Sequence, residues 1–493
     1  MAIIIPNLRI ECAKSFRKSI STNKACERIA IFIMNEKKVV DFTKGSPSKH
    51  IMYFFWPLLL TSTLQQLYNF VDVLIVGKGL GDNALASVGN MGALFFLIVG
   101  FSFGLANGFG VLIAQSFGAK DMNQLRHRLA GTIQLSIIIS IFLTIFSTVS
   151  LGFALKMMKT DEALMSNCLK YGYIVFGGIS TSIAYNVCAS ILRALGDSRT
   201  PLKAIIISSV TNLSLDAFLI FVLHTGVEGA AIATVLSQLI SGIICFRRLR
   251  KIDIIKLSRS DFKNDKKIYL DLFANGLPMA FMNSITAIGC MVVQHHVNSY
   301  GVDYTTAYSA CSKYINLFMN PACTAGNAMS SYTSQNYGAK KYTRIKDGLK
   351  VCLTISFVTY ILLGSVMVLF PRTLAKILVS GETPIRLVCE YLPLCGVSII
   401  AVDCLFVFRN AVQGMGHPLP TLWSGVIEMV LRIVVISLLI GRLGFRATAI
   451  AEISAWFGAL AINMVAFCRI LIPKLRKSYA SANNTTINPY HFV

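Results

Sequence analysis

Four residues of this chain could together handle a small cation where water is scarce: Asp72, Asn212, Asp216 and Thr234. Asn212 and Asp216 are four apart, so on a helix they share one face. Two carboxylates with an amide and a hydroxyl oxygen supply the oxygen ligands that a small hard cation wants. Two crowded carboxyls equally suit the sharing and exchange of a proton. A competing reading makes Asp72 or Asp216 a cap for backbone groups at a kink. A second set, Asp403, Glu428, Arg432 and Glu452, mixes three acids with a fixed guanidinium, and Glu428 and Arg432 form an i,i+4 pair. It reads as a compensated polar network. Gln65, Tyr68 and Asn69, one or two helical turns before Asp72, are candidate cavity-lining residues.

The elements that carry these residues are apolar. The 493 residues are 54% hydrophobic and 14% charged, with a mean hydropathy of +0.63. Soluble domains hold roughly 25% charged residues. Twelve blocks are long enough to cross a bilayer: 51–76, 92–116, 129–156, 168–192, 201–223, 227–246, 269–299, 305–334, 348–370, 386–408, 418–440 and 444–472. Covering the hydrocarbon takes about 20 apolar residues. An ionised side chain there costs at least ~2.5–3.5 kcal/mol, so each acid inside a block needs a reason. Pro57, Pro278, Pro321 and Pro393 interrupt blocks and predict kinks or breaks.

The net charge of +23 could suggest a polyanion partner. Its placement argues for topology instead. If loops alternate sides from the first span, 29 Lys and Arg fall on one side and eight on the other. That is the positive-inside asymmetry, and it predicts both termini in the cytoplasm of a multi-pass plasma membrane protein. No nucleic acid partner is implied. Gly77-Lys-Gly-Leu-Gly81 is no phosphate loop, because no GK[ST] follows it. No ATPase subunit is therefore implied, nor any cofactor. Thirteen scattered cysteines read as small apolar packers. The adjacent His295 and His296 point to different helical faces, which argues against paired metal ligation.

The chain repeats itself. Gln115-Ser-Phe-Gly-Ala-Lys120 returns as Gln335-Asn-Tyr-Gly-Ala-Lys340, and Ala194-Leu-Gly196 as Gly414-Met-Gly416, both 220 residues on. Gly226-Val-Glu-Gly-Ala-Ala-Ile-Ala233 answers to Gly444-Phe-Arg-Ala-Thr-Ala-Ile-Ala451. The expected organisation is a leader 1–33 with an alternative start at Met34, a segment 34–50, a first lobe 51–246, a basic linker 247–268, a second lobe 269–472 and a tail 473–493. Six spans per lobe is an even number, so the repeats run parallel. The fold expected is an all-α integral membrane protein, twelve transmembrane helices in two parallel six-helix repeats around a central cavity.

Gln65-Gln-Leu-Tyr-Asn69, Ala114-Gln-Ser-Phe-Gly-Ala-Lys120 and Arg193-Ala-Leu-Gly-Asp-Ser-Arg-Thr-Pro201 resemble motifs of the multidrug and toxic compound extrusion (MATE) family, and the likeness runs from about Phe42 to Leu475. The resemblance implies a Na⁺- or H⁺-driven antiporter that exports cationic, amphiphilic organic compounds, acting as a monomer. It implies a coupling aspartate at Asp72, completed in one branch by Asn212, Asp216 and Thr234. Another branch places a glutamate on the seventh helix and an aspartate on the tenth. Here the seventh-helix position falls near Thr286, with no acid nearby, and Asp403 stands alone. The rival reading is a flippase for a lipid-linked saccharide, which should show a basic cavity for pyrophosphate.

Overall fold

Apolar runs of this length must satisfy their backbone internally, and helices do so within one segment. The computed structural model describes residues 40–158, 160–262 and 265–485. The expected leader and its alternative start lie outside the described residues.

The first lobe comprises α1 (Pro47–Leu80), α2 (Asp82–Ala119), α3 (Met122–Met157), α4 (Glu162–Gly177), α5 (Ile179–Ala194), α6 (Arg199–Ala217) and α7 (Val227–Arg250). Helices α4 and α5 follow one another across a short break with a bend of 44°. The second lobe comprises α8 (Lys266–Asn298), α9 (Val302–Phe318), α10 (Asn320–Gly338), α11 (Tyr342–Thr359), α12 (Ser365–Leu369), α13 (Pro371–Leu378), α14 (Glu382–Gly414), α15 (Leu419–Leu443) and α16 (Arg446–Thr485). The expected block 305–334 is two helices, α9 and α10, broken at Met319 with Pro321 in the first turn of the second. By length and composition, eight single described helices, or nine passes with the bent pair, could each cross a membrane. Several boundaries differ from expectation, among them the start of α2, at Asp82 rather than 92. Helix α14 runs past 408 to Gly414, α7 runs to Arg250, and α16 continues beyond 472 through Pro473.

The repeat is visible in the packing. In the first lobe α6 packs on α7 and α1, and α5 on α7 and α2. In the second lobe the same places are taken by α15 on α16 and α8, and α14 on α16 and α10. Local geometry repeats as well. Gly226 and Gly444, which precede α7 and α16, both have positive φ (67° and 58°). Lys120 and Lys340, which follow α2 and α10, are left-handed at 60° and 58°.

The lobes meet through α1 and α2 of the first and α8 and α10 of the second. The duplicated hexapeptide makes this contact at the end of the bundle that bears the basic loops. A Cβ on Gly118 would run into the Gln335 carbonyl, and one on Gly338 into the Gln115 carbonyl. Gln115 Nε2 donates to Gly414 O (3.1 Å), and Gln335 Nε2 donates to Ala194 O (2.8 Å). Each bond is the other's image at the 220-residue offset. Further along, Gly104 lies on Ala280 and Gly108 on Gly276, close approaches that small residues permit. Contact continues past them, where Asn283 Nδ2 donates to Gly100 O (3.2 Å). Cβ atoms at Gly89 and Gly92 of α2 would meet nothing.

One part of the clasp has no mirror image. The segment before α1 lies as a strap on the second lobe. Phe42 N donates to Gln335 Oε1 (2.9 Å), Lys341 Nζ to Thr43 O (2.8 Å), and Arg344 to the carbonyls of Phe42, Lys44 and Gly45 (2.8, 3.0 and 2.8 Å).

Candidate functional site

In the first lobe, four helices bring the expected cation residues together. Asn212 and Asp216 stand on one face of α6, and both are fully buried. Just past Asp216 the helix widens into a π-helical turn, Phe218–Val222, a feature frequent at functional sites. Helix α1 presents Asp72 and Tyr68, α4 presents Tyr171, and α7 presents Thr234. The carboxyls of Asp72 and Asp216 neighbour one another, and Tyr68 and Tyr171 flank them. Thr234 donates to Ala230 O (3.0 Å) within its own helix and sits beside the Tyr171 hydroxyl.

This cluster is short of partners. Asp72 Oδ1, both carboxylate oxygens of Asp216, and both polar atoms of the Asn212 amide are buried without a hydrogen bond. Among the described residues, no Lys or Arg forms an ion pair with either carboxyl. Buried polar groups are normally hydrogen-bonded, and orphans call for an explanation. A proton shared by the two carboxyls, or a small cation ligated by these oxygens, would supply one. Of the candidate lining residues, Tyr68 faces the pair, Gln65 is half-buried, and Asn69 is exposed. Sequence reasoning missed Tyr171. Its only signal was a hydroxyl-bearing aromatic in an apolar block, where such a group usually finds a polar partner.

The second lobe is built on the opposite plan. Arg432 Nη2 lies 2.9 Å from Glu428 Oε1 and 2.9 Å from Glu452 Oε2, and Arg432 Nε donates to the same Glu452 oxygen (3.0 Å). Arg409 Nη2 holds the other oxygen of Glu428 at 2.6 Å. All four side chains are buried. The expected network of Asp403, Glu428, Arg432 and Glu452 is therefore corrected in one member. Asp403, buried on α14 with an unpartnered Oδ1, is bonded to none of the others, and Arg409 takes its place. The expected block 386–408 stops one residue short of Arg409, whereas α14 runs through it. The quartet is electrically neutral, and each acid is matched by a guanidinium. On α8, Thr286 has a buried hydroxyl without a hydrogen-bond partner. The rings of His295 and His296 lie edge to face, with centroids 6.1 Å apart and planes at 89°.

Comparison with known proteins bears on both lobes. A family model described as MatE matches the chain twice, over residues 57–218 and 278–438. The two matches begin at Pro57 and Pro278. The chain is 28% identical over 345 residues to the probable multidrug resistance protein YoeA of Bacillus subtilis, covering 68% of this chain and 74% of that protein. It is 24% identical over 459 residues to the multidrug export protein MepA of Staphylococcus saprophyticus, covering 90% and 99%. Its fold matches a multidrug resistance MATE family transporter of the MOP superfamily solved in an outward-facing conformation. That TM-score is 0.83 at 22% identity, with 90% and 100% of the chains covered. The likeness establishes the fold as twelve helices in two repeats.

Proposed function

We propose a coupling route for a chain that belongs to the MatE family of multidrug and toxic compound extrusion transporters. The protein is a multi-pass membrane efflux antiporter for drugs and toxic compounds. Its substrates are organic, cationic or amphiphilic molecules. Inward movement of Na⁺ or H⁺ through the Asp72 and Asp216 pair drives their export.

The observation that carries this reading is the pair itself. Two neighbouring carboxyls on α1 and α6 have no ion-pair partner among the described residues, and the buried Asn212 stands one turn before Asp216 on the same face of α6. A second charge in such surroundings is strongly disfavoured without a compensating cation. A visiting proton or Na⁺ is the simplest compensation. A ligand can shift the balance of inward- and outward-open states only by its differential affinity for them. Helix α1 links the two events, since it carries Asp72 and also Pro57, the point at which it can bend. The basic end, held by the Gln115 and Gln335 clasp, is the cytoplasmic end in this reading, in the plasma membrane, and one chain is the working unit.

A flippase for pyrophosphate-linked saccharides is not favoured. Such a protein needs uncompensated basic groups in its cavity, and both Arg409 and Arg432 are matched by Glu428 and Glu452.

The test is efflux from vesicles under separately imposed Na⁺ and pH gradients, for the native chain, Asp72→Asn and Asp216→Asn. The native protein should respond to one gradient, and each variant should lose that response while still inserting. Retention of gradient-driven export by Asp216→Asn would sink the assignment.

A further inference from the structure

The two lobes place different chemistry at the same point of the repeat. The 220-residue offset that relates Thr200-Pro201-Leu202 to Pro420-Thr421-Leu422 sets Asn212 of α6 against Arg432 of α15, and Asp216 against Ile436. The offset of 218 that relates Gly226 to Gly444 sets Thr234 of α7 against Glu452 of α16. The positive φ shared by those two glycines supports this register. With Pro57 on Pro278, Asp72 of α1 falls against Val293 of α8, a fully buried apolar residue.

We propose that the Arg432 guanidinium occupies, in the second lobe, the position where the first lobe takes its exchangeable cation. The protein then has one exchangeable cation site and one filled permanently by its own side chain. This rests on the coupling role given above to Asp72 and Asp216.

The geometry fits a tethered cation. Arg432 Nη2 is shared between two carboxylates, one on its own helix and one on the neighbouring α16, at 2.9 Å from each. Its neighbours on other elements are Arg409 of α14 through Glu428, Tyr308 of α9 through Glu452 (3.5 Å), and Cys290 of α8. The equivalent first-lobe cluster has the reverse inventory, with acids and neutral oxygens but, among the described residues, no ion-paired Lys or Arg. Ile436 and Val293 replace the two first-lobe aspartates with apolar side chains. The second lobe thus needs no visiting ion for neutrality. An engineered vacancy there should demand one, because removing one partner strands a buried charge.

Chemical rescue in full-length protein reconstituted in nanodiscs tests this. Asp216→Asn silences the first lobe, and melting is followed in choline chloride, NaCl and millimolar guanidinium chloride. Asp216→Asn alone should show no rise in either added cation. Asp216→Asn with Arg432→Ala should melt several degrees higher with guanidinium or Na⁺ than in choline, as expected for a ligand that binds only the folded state. Adding Glu452→Gln should erase that rise. A folded double variant whose melting ignores both cations overturns the proposal. If the double variant does not accumulate, the cation count of the native chain decides. One Na⁺ or H⁺ bound per chain supports the inference, and two overturn it. Failure of the coupling reading looks different. Cation binding by the native chain would then be absent or unaffected by Asp216→Asn, while the guanidinium response of Arg432→Ala could still be read.

Discussion

Asp216 and Arg432 lie on equivalent helices of a duplicated fold, yet one is a buried acid without a cation and the other a buried cation held by two acids. The scaffolds around them pack alike, with α6 on α1 and α7, and α15 on α8 and α16. The lobes also share the clasp, in which Gln115 and Gln335 exchange equivalent bonds across the interface. The duplication has kept what joins the lobes and changed what each lobe holds. An exchange site needs a charge that can be left unbalanced for part of a cycle, whereas a neutral quartet has nothing to release. Under the proposed coupling route the first lobe does the ionic work and the second is its compensated counterpart.

The strongest way to break the contrast is to unbalance each lobe by one charge. Glu428→Gln leaves Arg409 and Arg432 with Glu452 alone, and breaking a buried pair costs about 3–5 kcal/mol. Asp216→Asn removes an acid that has no ion-pair partner, so its melting temperature should hold or rise. Thermal melting of both variants in nanodiscs checks this. Equal destabilisation would mean that the first-lobe acid is as structurally committed as the second-lobe one.

The next effect belongs to what the lobes share. Gly118→Ala and Gly338→Ala each place a methyl against a backbone carbonyl of the other lobe. Overpacking of this kind costs roughly 1–3 kcal/mol. If the interface is symmetric, the two losses should agree, and the double variant should show less than their sum because the first already separates the helices. A smaller version follows from Gln115→Ala and Gln335→Ala. Each loses one amide-to-carbonyl bond, worth about 1 kcal/mol. The second should cost more, since Gln335 also accepts from Phe42 N.

The twelve apolar blocks and their parallel duplication were legible because hydropathy and recurring motifs act over long windows. So was the first-lobe cluster, since Asn212 and Asp216 announce a common face and an acid in an apolar block is costly to ignore. Other features depended on distance in space. Arg409 looked like a loop residue because Arg409-Asn-Ala-Val-Gln-Gly414 is too polar to read as a span, and its partner Glu428 is nineteen residues away. Asp403 had the right charge for the second-lobe network but is bonded to none of its members. The π-helical turn after Asp216 has no signature in Phe218-Leu-Ile-Phe-Val222. The hexapeptide was recognised as a repeat, but its purpose appears only when Gln115 and Gln335 are seen reaching across the same interface in opposite directions.

The strap gives the smallest effect and the cleanest asymmetry. Phe42 is buried against Tyr332 and Phe54, whereas Phe262, its counterpart 220 residues on, is exposed in the linker. Only one side of the clasp is therefore strapped. Asp41 organises the strap by accepting from the Thr43 amide and hydroxyl (2.9 and 2.6 Å). Burial works against its charge, but the two Thr43 bonds, with Lys44 and Lys120 nearby, hold the carboxyl below its ordinary range. A depressed carboxyl stabilises the docked strap above the unfolded value and loses that contribution as pH falls through the folded one. Arg344→Gln removes three bonds to strap carbonyls, some of them exposed, so the loss should be about 1 kcal/mol. Tryptic cleavage after Lys44 should become several-fold faster in Arg344→Gln, and faster in the native chain at acid than at neutral pH once corrected for trypsin's own profile. Cleavage at Arg259 in the linker should respond to neither change. If the two sites accelerate together, the variant has loosened the whole basic end and the strap is not a separate unit.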